Sequence, residues 1–290
     1  MEVCTHPKGV QQWLTPHRQQ HQRIALVPTM GCLHAGHLKL IEQAHQHGDL
    51  VVVSIYVNPL QFGANEDLDR YPRPLEADLR ACQDAGVDMV FAPANLYPHG
   101  QPQVMLHTET MANRLCGIHR TGHFDGVLTV VSILFHIIQP HYALFGEKDF
   151  QQLRLIKRMV DDLYMPVTII PVATLREHDG LAMSSRNRYL SESERALAPA
   201  IFATLRSMQR LFCAGETSVN PLIQHGLKQL TSQNITPEYL EIVQNEDLCP
   251  PHKAHAACRI VIACKIGQTR LIDNLPIQSD NPIQSVGVQP

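Results

Sequence analysis

The 290-residue chain is long enough to bury one large core or two modest ones without help from disulfide bonds. Hydrophobic residues make up 44% of it and charged residues 18%, proportions typical of a folded globular protein. The formal net charge of −3 gives no basic field for a polyanion, so nucleic acid is not expected as the main partner.

The first twenty residues are polar and lack the apolar segment of a secretory signal peptide. No stretch approaches the ~20 apolar residues that a membrane span needs. The eight cysteines form no C-x-x-C pair, which is typical of reduced thiols packed as small hydrophobic side chains. These features predict a cytoplasmic protein with no membrane partner.

Short apolar runs alternate with helical patterns through the first part of the chain. The runs predict strands at 24–27, 50–57, 89–91, 142–145 and 167–172. The helical patterns lie at 36–47, 74–85, 126–138 and 149–163. This alternation predicts an α/β fold, a Rossmann-like doubly wound parallel sheet with helices on both faces.

The pattern changes after about residue 175. Two helices are predicted at 191–214 and 219–233, and strands follow at 238–243, 259–266 and 270–273. Ser191 and Glu194 have the spacing of a capping box, which places a helix start there. We therefore predict a Rossmann-like domain at 1–176 and a smaller C-terminal α+β domain at 177–290, with a mobile tail from about 277.

The first candidate site segment follows the strand predicted at 24–27, and ligands of open parallel sheets bind at the carboxyl ends of strands. It reads PTMGCLHAGH and ends at His37. Gly31 and Gly36 let backbone approach a ligand closely, and the helix start near Gly36 directs N–H groups to the same place. His34 and His37 add imidazole donors suited to a phosphorus centre that gains negative charge. Surface histidines or helix caps would explain this pair equally well.

Two further segments carry cations. Lys148, in the segment GEKDFQQ, can reach a polyphosphate, and Asp149 can cap a helix or accept ribose hydroxyls. The turn-rich stretch at 179–187 offers hydroxyls and the guanidinium of Arg186, as would a loop that closes over a nucleotide. A surface charge, a simple cap and a linker remain open interpretations.

The segment Asn58-Pro59-Leu60-Gln61-Phe62 ends the most apolar predicted strand. Neutral amides recognise hydroxyl and carboxyl groups without an ion pair that would quench a nucleophilic carboxylate. A turn after a strand would account for Asn58-Pro59 as well.

Together, and in this order, these segments resemble the pantothenate synthetase family of the HxGH nucleotidyl-transferase superfamily. The resemblance covers nearly the whole chain, with matching stretches at 28–31, 58–62, 71–73, 122–124, 146–152, 183–190 and 269–274. It implies that ATP and pantoate form a pantoyl adenylate and pyrophosphate, after which the amine of β-alanine gives pantothenate and AMP. It also implies a Mg²⁺ requirement, a homodimer, an ATP- and pantoate-binding domain at 1–176 and a lid domain at 177–290.

The resemblance also implies a role for individual residues. Catalysis falls to His37, His34, Lys148, Ser184 and Arg186. ATP contacts are implied for Met30, Gly31, Cys32, Leu33, His34, Ala35, Gly36, His37, Gly146, Glu147, Lys148, Asp149, Leu175, Met183, Ser184, Ser185 and Arg186. Pantoate and β-alanine are implied to contact Gln61, Gln152, Asn58 and Met30. The family's acidic stretch is reduced here to Glu76-Ala77-Asp78, which leaves Asp78 as the implied magnesium partner.

Two other functions stay open on the sequence. A related HxGH nucleotidyl transferase or another acid-activating ligase would use the same elements, but a phosphorylated acceptor predicts a cationic site where this chain offers the amides of Asn58 and Gln61. Alternatively, the seventeen histidines could make a metal-binding or metal-storage protein. Lys148 and Arg186 would oppose a cation, and stoichiometric zinc in protein purified without chelator would favour that alternative.

Overall fold

The computed structural model describes residues 1–64, 66–97 and 99–278. It divides into two compact units, the first made of Met1–Glu147 and Leu155–Val172 and the second of Lys148–Arg154 and Ala173–Pro290. The division predicted at residue 176 stays a prediction, because compactness alone does not define a domain that folds or moves independently.

The first unit is built on a six-stranded sheet in the described residues, with strand order β1-β4-β3-β2-β5-β6. Every neighbouring pair is parallel. The strands are β1 (Glu2–Cys4), β2 (Ile24–Thr29), β3 (Leu50–Ile55), β4 (Met89–Phe91), β5 (Tyr142–Gly146) and β6 (Thr168–Val172). The chain runs outward from β2 through β3 to β4 and then returns to place β5 on the other side of β2. The sheet therefore has its switch point between β2 and β5, where a ligand crevice is expected.

Helices cover both faces of this sheet, as predicted. In chain order up to β6, the described helices are α1 (Pro7–Gln19), α2 (Ala35–His47), α3 (Leu75–Asp84), α4 (Cys116–His119), α5 (His123–Ile138) and α6 (Phe150–Asp162). Val27 and Val53 pack with Ile41 of α2 in one apolar cluster. Leu26 and Val52, on the opposite face of the pleat, are also fully buried, and α5 contacts both β2 and α1. The predicted doubly wound α/β fold is confirmed.

Two elements near the N-terminus were not predicted. Helix α1 buries Val10 and Leu14, one helical turn apart, but Pro16 and the surrounding polar residues conceal this short stripe. Strand β1 has three residues, too few for an alternating pattern, and pairs with β4 at the sheet edge. Both elements depend on tertiary packing that cannot be recognised from the local sequence.

The second unit has the predicted α+β character. Its main helices are α7 (Glu192–Leu197), α8 (Ala200–Cys213) and α9 (Val219–Ser232), and its antiparallel sheet has the order β7 (Pro237–Gln244), β8 (Cys258–Ile266), β9 (Thr269–Pro276). The capping box of Ser191 and Glu194 is confirmed. A single helix at 191–214 was wrong, because Pro199 lacks the N–H that would continue helix α7 into α8.

The packed chain continues past β9. Ile277 is fully buried and its N–H donates to the carbonyl of Cys258 at 3.0 Å, so this position is anchored where the tail was predicted to begin. The rest of the predicted tail, 279–290, lies outside the described residues. Within the described ranges, no helix has both the length and the apolar character that a membrane crossing requires.

Candidate active site

The loop after β2 has a backbone shape that depends on Gly31. Gly31 has φ +81° and Cys32 has φ +53°, so two consecutive residues adopt left-handed conformations. A Cβ at Gly31 would lie 2.8 Å from Asp78 Oδ2 and 3.1 Å from Ile55. Thr29 Oγ1 steadies the entry to the loop by accepting a hydrogen bond from the Gly31 N–H at 3.1 Å. Glycine is therefore required at position 31 for both conformation and space.

Asp78 of α3 holds this loop with both carboxylate oxygens. Oδ2 accepts the Cys32 N–H at 2.8 Å, and Oδ1 accepts the Leu33 N–H at 2.7 Å. The residue is only 3% exposed. Charge-assisted hydrogen bonds from these backbone N–H groups to a buried carboxylate fix the backbone that leads into α2. These contacts give Asp78 a structural role in the loop, and its predicted magnesium role stays a prediction.

His34 and His37 form the N-terminal cap of α2. His34 Nδ1 accepts the Gly36 N–H at 3.1 Å, and His37 Nδ1 accepts the His34 N–H at 3.3 Å. The two rings lie with centroids 4.0 Å apart. This is the reciprocal geometry of a capping box, made with imidazoles instead of hydroxyl and carboxylate groups.

The cap also determines where each histidine carries its proton. An Nδ1 atom that accepts a backbone N–H has no proton of its own, so the neutral ring of His34 or His37 carries its proton on Nε2. Each Nε2–H is therefore a donor at the positive end of the helix α2 dipole, beside the switch point of the sheet. The geometry suits an anion, so the capping contacts are compatible with the functional role of the two rings, which stays a prediction.

The predicted acid-binding residues Met30, Asn58 and Gln61 lie together in the first unit. Gln61 Nε2 donates to Met30 Sδ at 2.9 Å, and Asn58 Nδ2 donates to Gln61 Oε1 at 3.1 Å. Asn58 is fully buried and its Oδ1 also accepts the Tyr97 hydroxyl at 2.8 Å. Burial raises the pKa of Tyr97, which keeps this phenol protonated as a donor. Asn58 thus orients Gln61, whose amide lies beside Met30.

A second layer of contacts fixes the backbone of Gln61. Its carbonyl accepts hydrogen bonds from His123 Nδ1 at 2.7 Å and Arg120 Nη2 at 3.2 Å. Arg120 Nη1 lies 2.8 Å from His123 Nε2, and because a guanidinium only donates, that nitrogen is the acceptor and Nδ1 carries the proton. Arg120 also forms a two-pronged ion pair with Glu66, at 2.6 and 2.7 Å. Gly126 lets helix α5 pack closely against the backbone of Leu60, since a Cβ at this position would lie 2.4 Å from the Leu60 carbonyl oxygen.

Lys148 belongs to the second unit, two residues beyond Gly146 at the end of β5. It lies in a short 3-10 turn, Glu147–Asp149, with its Nζ 3.8 Å from Asp149 Oδ1. The Lys148 side chain is 20% exposed. Gln152, also predicted as a substrate contact, lies in the first turn of α6.

The other predicted nucleotide contacts of the second unit lie on one folded loop. The Met183 N–H donates to the Leu175 carbonyl at 3.0 Å, which closes a turn around Gly180. Ser184 then caps a 3-10 turn, Ser185–Tyr189, by accepting the Arg186 N–H on its Oγ at 3.3 Å. Asn187 Nδ2 adds bonds to Glu177 and the Ala182 carbonyl. This brings Leu175, Met183, Ser184, Ser185 and Arg186 into one segment, as expected of a single binding loop.

Arg195 of α7 braces the same loop through Glu177 and Asp179, at 2.6 and 2.7 Å. Burial would raise the pKa of Asp179, but the hydrogen bonds from Arg195 and the Leu181 N–H outweigh it, so this pKa lies below its usual value. The carboxylate therefore stays ionised at neutral pH and keeps its bond to α7.

Among the residues that the structure describes, no group of three or more His, Cys, Asp or Glu side chains is arranged to hold a metal ion. Sequence reasoning missed the supporting contacts of Glu66, Tyr97, Arg120 and His123. The matching stretch at 122–124 pointed to His123 without giving it a role. The Arg120–Glu66 pair joins residues 54 positions apart, for which spacing offers no signal.

The switch point, the glycine loop and the histidine-capped helix define a nucleotide-binding α/β enzyme of the HxGH class. The sequence model of the family described as pantoate-beta-alanine ligase matches residues 2–276. The chain belongs to this family.

Curated relatives and solved structures agree with this assignment. The chain is 50% identical over 261 residues to a pantothenate synthetase from Stutzerimonas stutzeri, covering 89% of this chain and 91% of the relative. It is 46% identical over 278 residues to the pantothenate synthetase of Alcanivorax borkumensis, covering 95% of each. A crystal structure of the pantothenate synthetase from Thermus thermophilus matches with TM-score 0.91 and 41% identity, covering 96% of this chain and all of that one.

One solved neighbour is described with ligands bound. The pantoate-beta-alanine ligase of Francisella tularensis, described as complexed with beta-gamma ATP and β-alanine, matches with TM-score 0.80 and 33% identity. The match covers 96% of this chain and 98% of the Francisella chain.

Proposed function

We propose that the chain condenses pantoate with β-alanine at the expense of ATP, giving pantothenate, AMP and pyrophosphate. The activity is that of the ligase family to which the chain belongs. ATP and β-alanine enter the proposal from the Francisella neighbour, which was solved with a form of ATP and with β-alanine. The observation in this chain that carries it is the pair of Nε2 donors of His34 and His37 at the helix start beside the switch point.

The first step is attack on the α-phosphorus of ATP by a pantoate carboxylate oxygen. A new P–O bond forms to the acid, the bond to the bridging oxygen breaks, and pyrophosphate leaves with that electron pair. Negative charge accumulates on the phosphoryl oxygens in the transition state, and fixed N–H donors stabilise it without reorganising. The His34 and His37 donors, with the backbone N–H groups of the α2 N-terminus, are assigned this task.

The second step is attack of the β-alanine amine on the acyl carbon of the adenylate. The C–N bond forms, AMP leaves with the electrons of the acyl C–O bond, and the nitrogen gives up one proton to solvent water. Mixed anhydrides are activated acyl donors, so holding the amine beside the carbonyl supplies most of what this step needs. No further side chain is assigned to it.

Gln61 is proposed to bind pantoate, together with Met30 and Gln152. Its amide is neutral, so it can hold the acid without pairing with the attacking carboxylate. Asn58 is proposed to support it, because Asn58 Nδ2 donates to Gln61 Oε1 and to the Gly126 carbonyl while its Oδ1 accepts the Tyr97 hydroxyl. Arg120 and His123 fix the Gln61 backbone from the other side.

The ATP phosphates are proposed to bind Lys148, Ser184 and Arg186, with Gly146 and Asp149 at the ribose and Leu175 at the adenine. These assignments follow the family resemblance. The folded loop that carries Ser184 and Arg186 supports them, because it is braced by Arg195 and Asn187 rather than left as an unsupported linker.

Magnesium is proposed to accompany ATP. The one predicted protein ligand, Asp78, already accepts one backbone N–H on each carboxylate oxygen, and its role toward magnesium stays a prediction. Mg²⁺ commonly keeps several waters and binds through substrate phosphates. The proposal therefore leaves the ion to ATP and assigns it no protein ligand.

The homodimer and the cytoplasmic location implied by the resemblance also remain proposals. Light scattering coupled to size exclusion would test the dimer. Fractionation of the source cells, with detection of the native protein, would test the location.

The deciding experiment measures AMP formation from ATP, pantoate and β-alanine, with each substrate omitted in turn. We expect AMP to require all three for turnover, and isotope exchange between pyrophosphate and ATP to require pantoate but not β-alanine. Exchange that needs the amine would contradict an adenylate intermediate. AMP formation with another acid, but not with pantoate, would overturn the substrate assignment.

A further inference from the structure

The end of strand β9 contains a buried polar cluster to which no role has been assigned above. Arg176, Arg259, Asp273 and Asn274 are each between 3% and 7% exposed. Burying two guanidinium groups and a carboxylate is costly unless the groups are paired and hydrogen-bonded. A cluster of this kind fixes the positions of the segments that it joins.

Asn274 uses both ends of its amide within the second unit. Its Oδ1 accepts a hydrogen bond from Arg259 Nη1 at 2.5 Å, and its Nδ2 donates to the backbone carbonyl of Lys148 at 2.9 Å. Arg259 is held in turn, because its guanidinium lies 4.1 Å from the ring centre of Phe150. Strand β9 thus holds the backbone from which the Lys148 side chain extends.

The neighbouring Asp273 holds the second nucleotide segment. It accepts two hydrogen bonds from Arg176, at 2.7 and 2.9 Å, and Arg176 also donates to the Gly180 carbonyl at 3.0 Å. Arg176 follows Leu175 directly and its guanidinium lies 3.8 Å from the ring centre of Phe202. Asp273 Oδ1 also accepts the Asn274 N–H at 2.7 Å, so the two anchors are joined at adjacent residues.

We infer that Asn274 is a positioning residue for ATP binding, which holds Lys148 in place from strand β9. The inference rests on the proposed function, in which Lys148 binds the ATP phosphates. Lys148 has a long flexible stem, so the position of its backbone limits where its ammonium can reach. Releasing the Lys148 carbonyl would loosen this segment and weaken binding of the triphosphate more than binding of either acid substrate.

The same unit provides a matched control in Gln209 of α8. Gln209 is 4% exposed, its Oε1 accepts from Arg206 Nη1 at 2.8 Å, and its Nε2 donates to the Pro276 carbonyl at 2.8 Å. This amide repeats the contacts of Asn274, with an arginine donor on one end and a backbone carbonyl on the other. Its carbonyl partner belongs to β9 and not to a proposed ATP-binding segment.

The test compares Asn274→Asp with Gln209→Glu in the full chain. In each variant one carboxylate oxygen can still accept the hydrogen bond from arginine. The other oxygen replaces the amide NH₂ and therefore faces the backbone carbonyl without a hydrogen to donate. We expect Asn274→Asp to raise the KM for ATP about tenfold, the scale of one lost hydrogen bond, with the KM values for pantoate and β-alanine within about twofold of wild type. Gln209→Glu should leave all three within about twofold. Calorimetric binding of a non-hydrolysable ATP analogue should show the same contrast.

Asn274→Ala and Gln209→Ala provide a second pair if a buried carboxylate prevents folding, with thermal unfolding of the free proteins measured alongside. Equal effects of the two members of a pair on ATP binding, or equal changes in all three KM values for Asn274 variants, would overturn the inference. An inactive wild type would instead overturn the proposed function, and the calorimetric comparison would still decide whether Asn274 supports ATP binding.

Discussion

Asp78 and Cys32 are joined by a 2.8 Å hydrogen bond from the Cys32 N–H to Oδ2 of a carboxylate that is only 3% exposed. The other oxygen accepts the next N–H along the chain. Because the residues it holds lead directly into the histidine-capped helix α2, this carboxylate is placed to shape the loop that faces the proposed α-phosphate. A helix residue 46 positions away thus determines the conformation of the first site segment.

Replacing Asp78 with alanine should therefore lower the free energy of unfolding, by about 1 to 3 kcal/mol for each buried N–H that loses its acceptor. Activity should fall because the loop relaxes, while the magnesium concentration for half-maximal activity stays near that of wild type. Urea unfolding and a magnesium titration of the ligase reaction would measure both. Asp84→Asn, an exposed change on the same helix, is the control. A large rise in the magnesium requirement would instead support the metal role that the family resemblance implies.

At His37 two substitutions can separate the capping of helix α2 from the role of the imidazole as a hydrogen-bond donor. His37→Ala removes both, whereas His37→Glu keeps a capping-box acceptor at the third helical position and loses the imidazole donor. His37→Ala should cost about 2.7 to 4 kcal/mol in the transition state, the scale for losing one oxyanion donor. His37→Glu should be at least as slow, because it places a negative charge beside the phosphate.

Thermal unfolding separates the two effects. His37→Glu should unfold close to the wild-type temperature, since it keeps the cap and its charge suits the helix N-terminus. Unimpaired adenylate formation by a well-folded His37→Glu protein would show that the ring has no role in the chemistry.

Gln61→Ala should affect the acid far more than the nucleotide. A hydrogen bond to a charged group contributes about 1.5 to 3 kcal/mol, so the KM for pantoate should rise roughly 10- to 150-fold while the KM for ATP changes little. Initial rates with each substrate varied in turn would measure this. Gln83→Ala, at an exposed position, is the control, and equal increases for both substrates would move Gln61 away from the acid.

The Glu66–Arg120 ion pair should make the free energy of unfolding depend on pH in the acidic range. Burial raises the pKa of Glu66, but the hydrogen bonds and charge of Arg120 outweigh burial, so the pKa lies below the ordinary value of 4.5. A lowered folded-state pKa contributes stability above the unfolded-state pKa, and that contribution is lost as pH falls through the folded-state value. Glu66→Gln should thus be less stable than wild type at neutral pH. The difference in their free energies of unfolding should become smaller below about pH 4.5. Urea unfolding midpoints of the two proteins, measured across this pH range, would show the change. A difference in midpoint that does not vary with pH would contradict a lowered pKa for Glu66.

The cysteines should differ sharply in reactivity. Burial raises the pKa of both Cys82 and Cys264 to about 12, so neither forms much thiolate at neutral pH. Cys213 is exposed and should be alkylated by iodoacetamide in the folded protein. Mass spectrometry of the native protein should find Cys213 labelled and Cys82 and Cys264 unlabelled until denaturant is added. Labelling of Cys82 without denaturant would show that the core around α3 opens.

The sequence was sufficient for five of the six described strands of the first unit's sheet, because strands such as β2, β3 and β5 are short apolar runs separated by recognisable helices. It also located the histidine motif, since a helix start after a buried strand is a local signal. The alternatives left open there, helix caps or phosphate donors, are not exclusive, as the Nδ1 contacts of His34 and His37 show.

Long-range polar contacts could not be predicted in the same way. Asp78 drew attention only as an acid in a short acidic stretch, and nothing nearby reveals that its partners are Cys32 and Leu33. Asn274 similarly contacts a carbonyl 126 positions earlier in the chain. Such contacts depend on the fold as a whole, whereas helix and strand patterns are properties of short segments.

Strand β1 bears on how readily the protein would aggregate after proteolysis. It is a short strand at the edge of the sheet, and it pairs with β4, whose residues Met89, Val90 and Phe91 are all fully buried. Clipping of residues 1–5 by a protease would make β4 the new edge, an apolar strand with open backbone groups, which is a template for intermolecular pairing. The pairing of β1 thus covers backbone groups of β4 that would otherwise be open to another molecule.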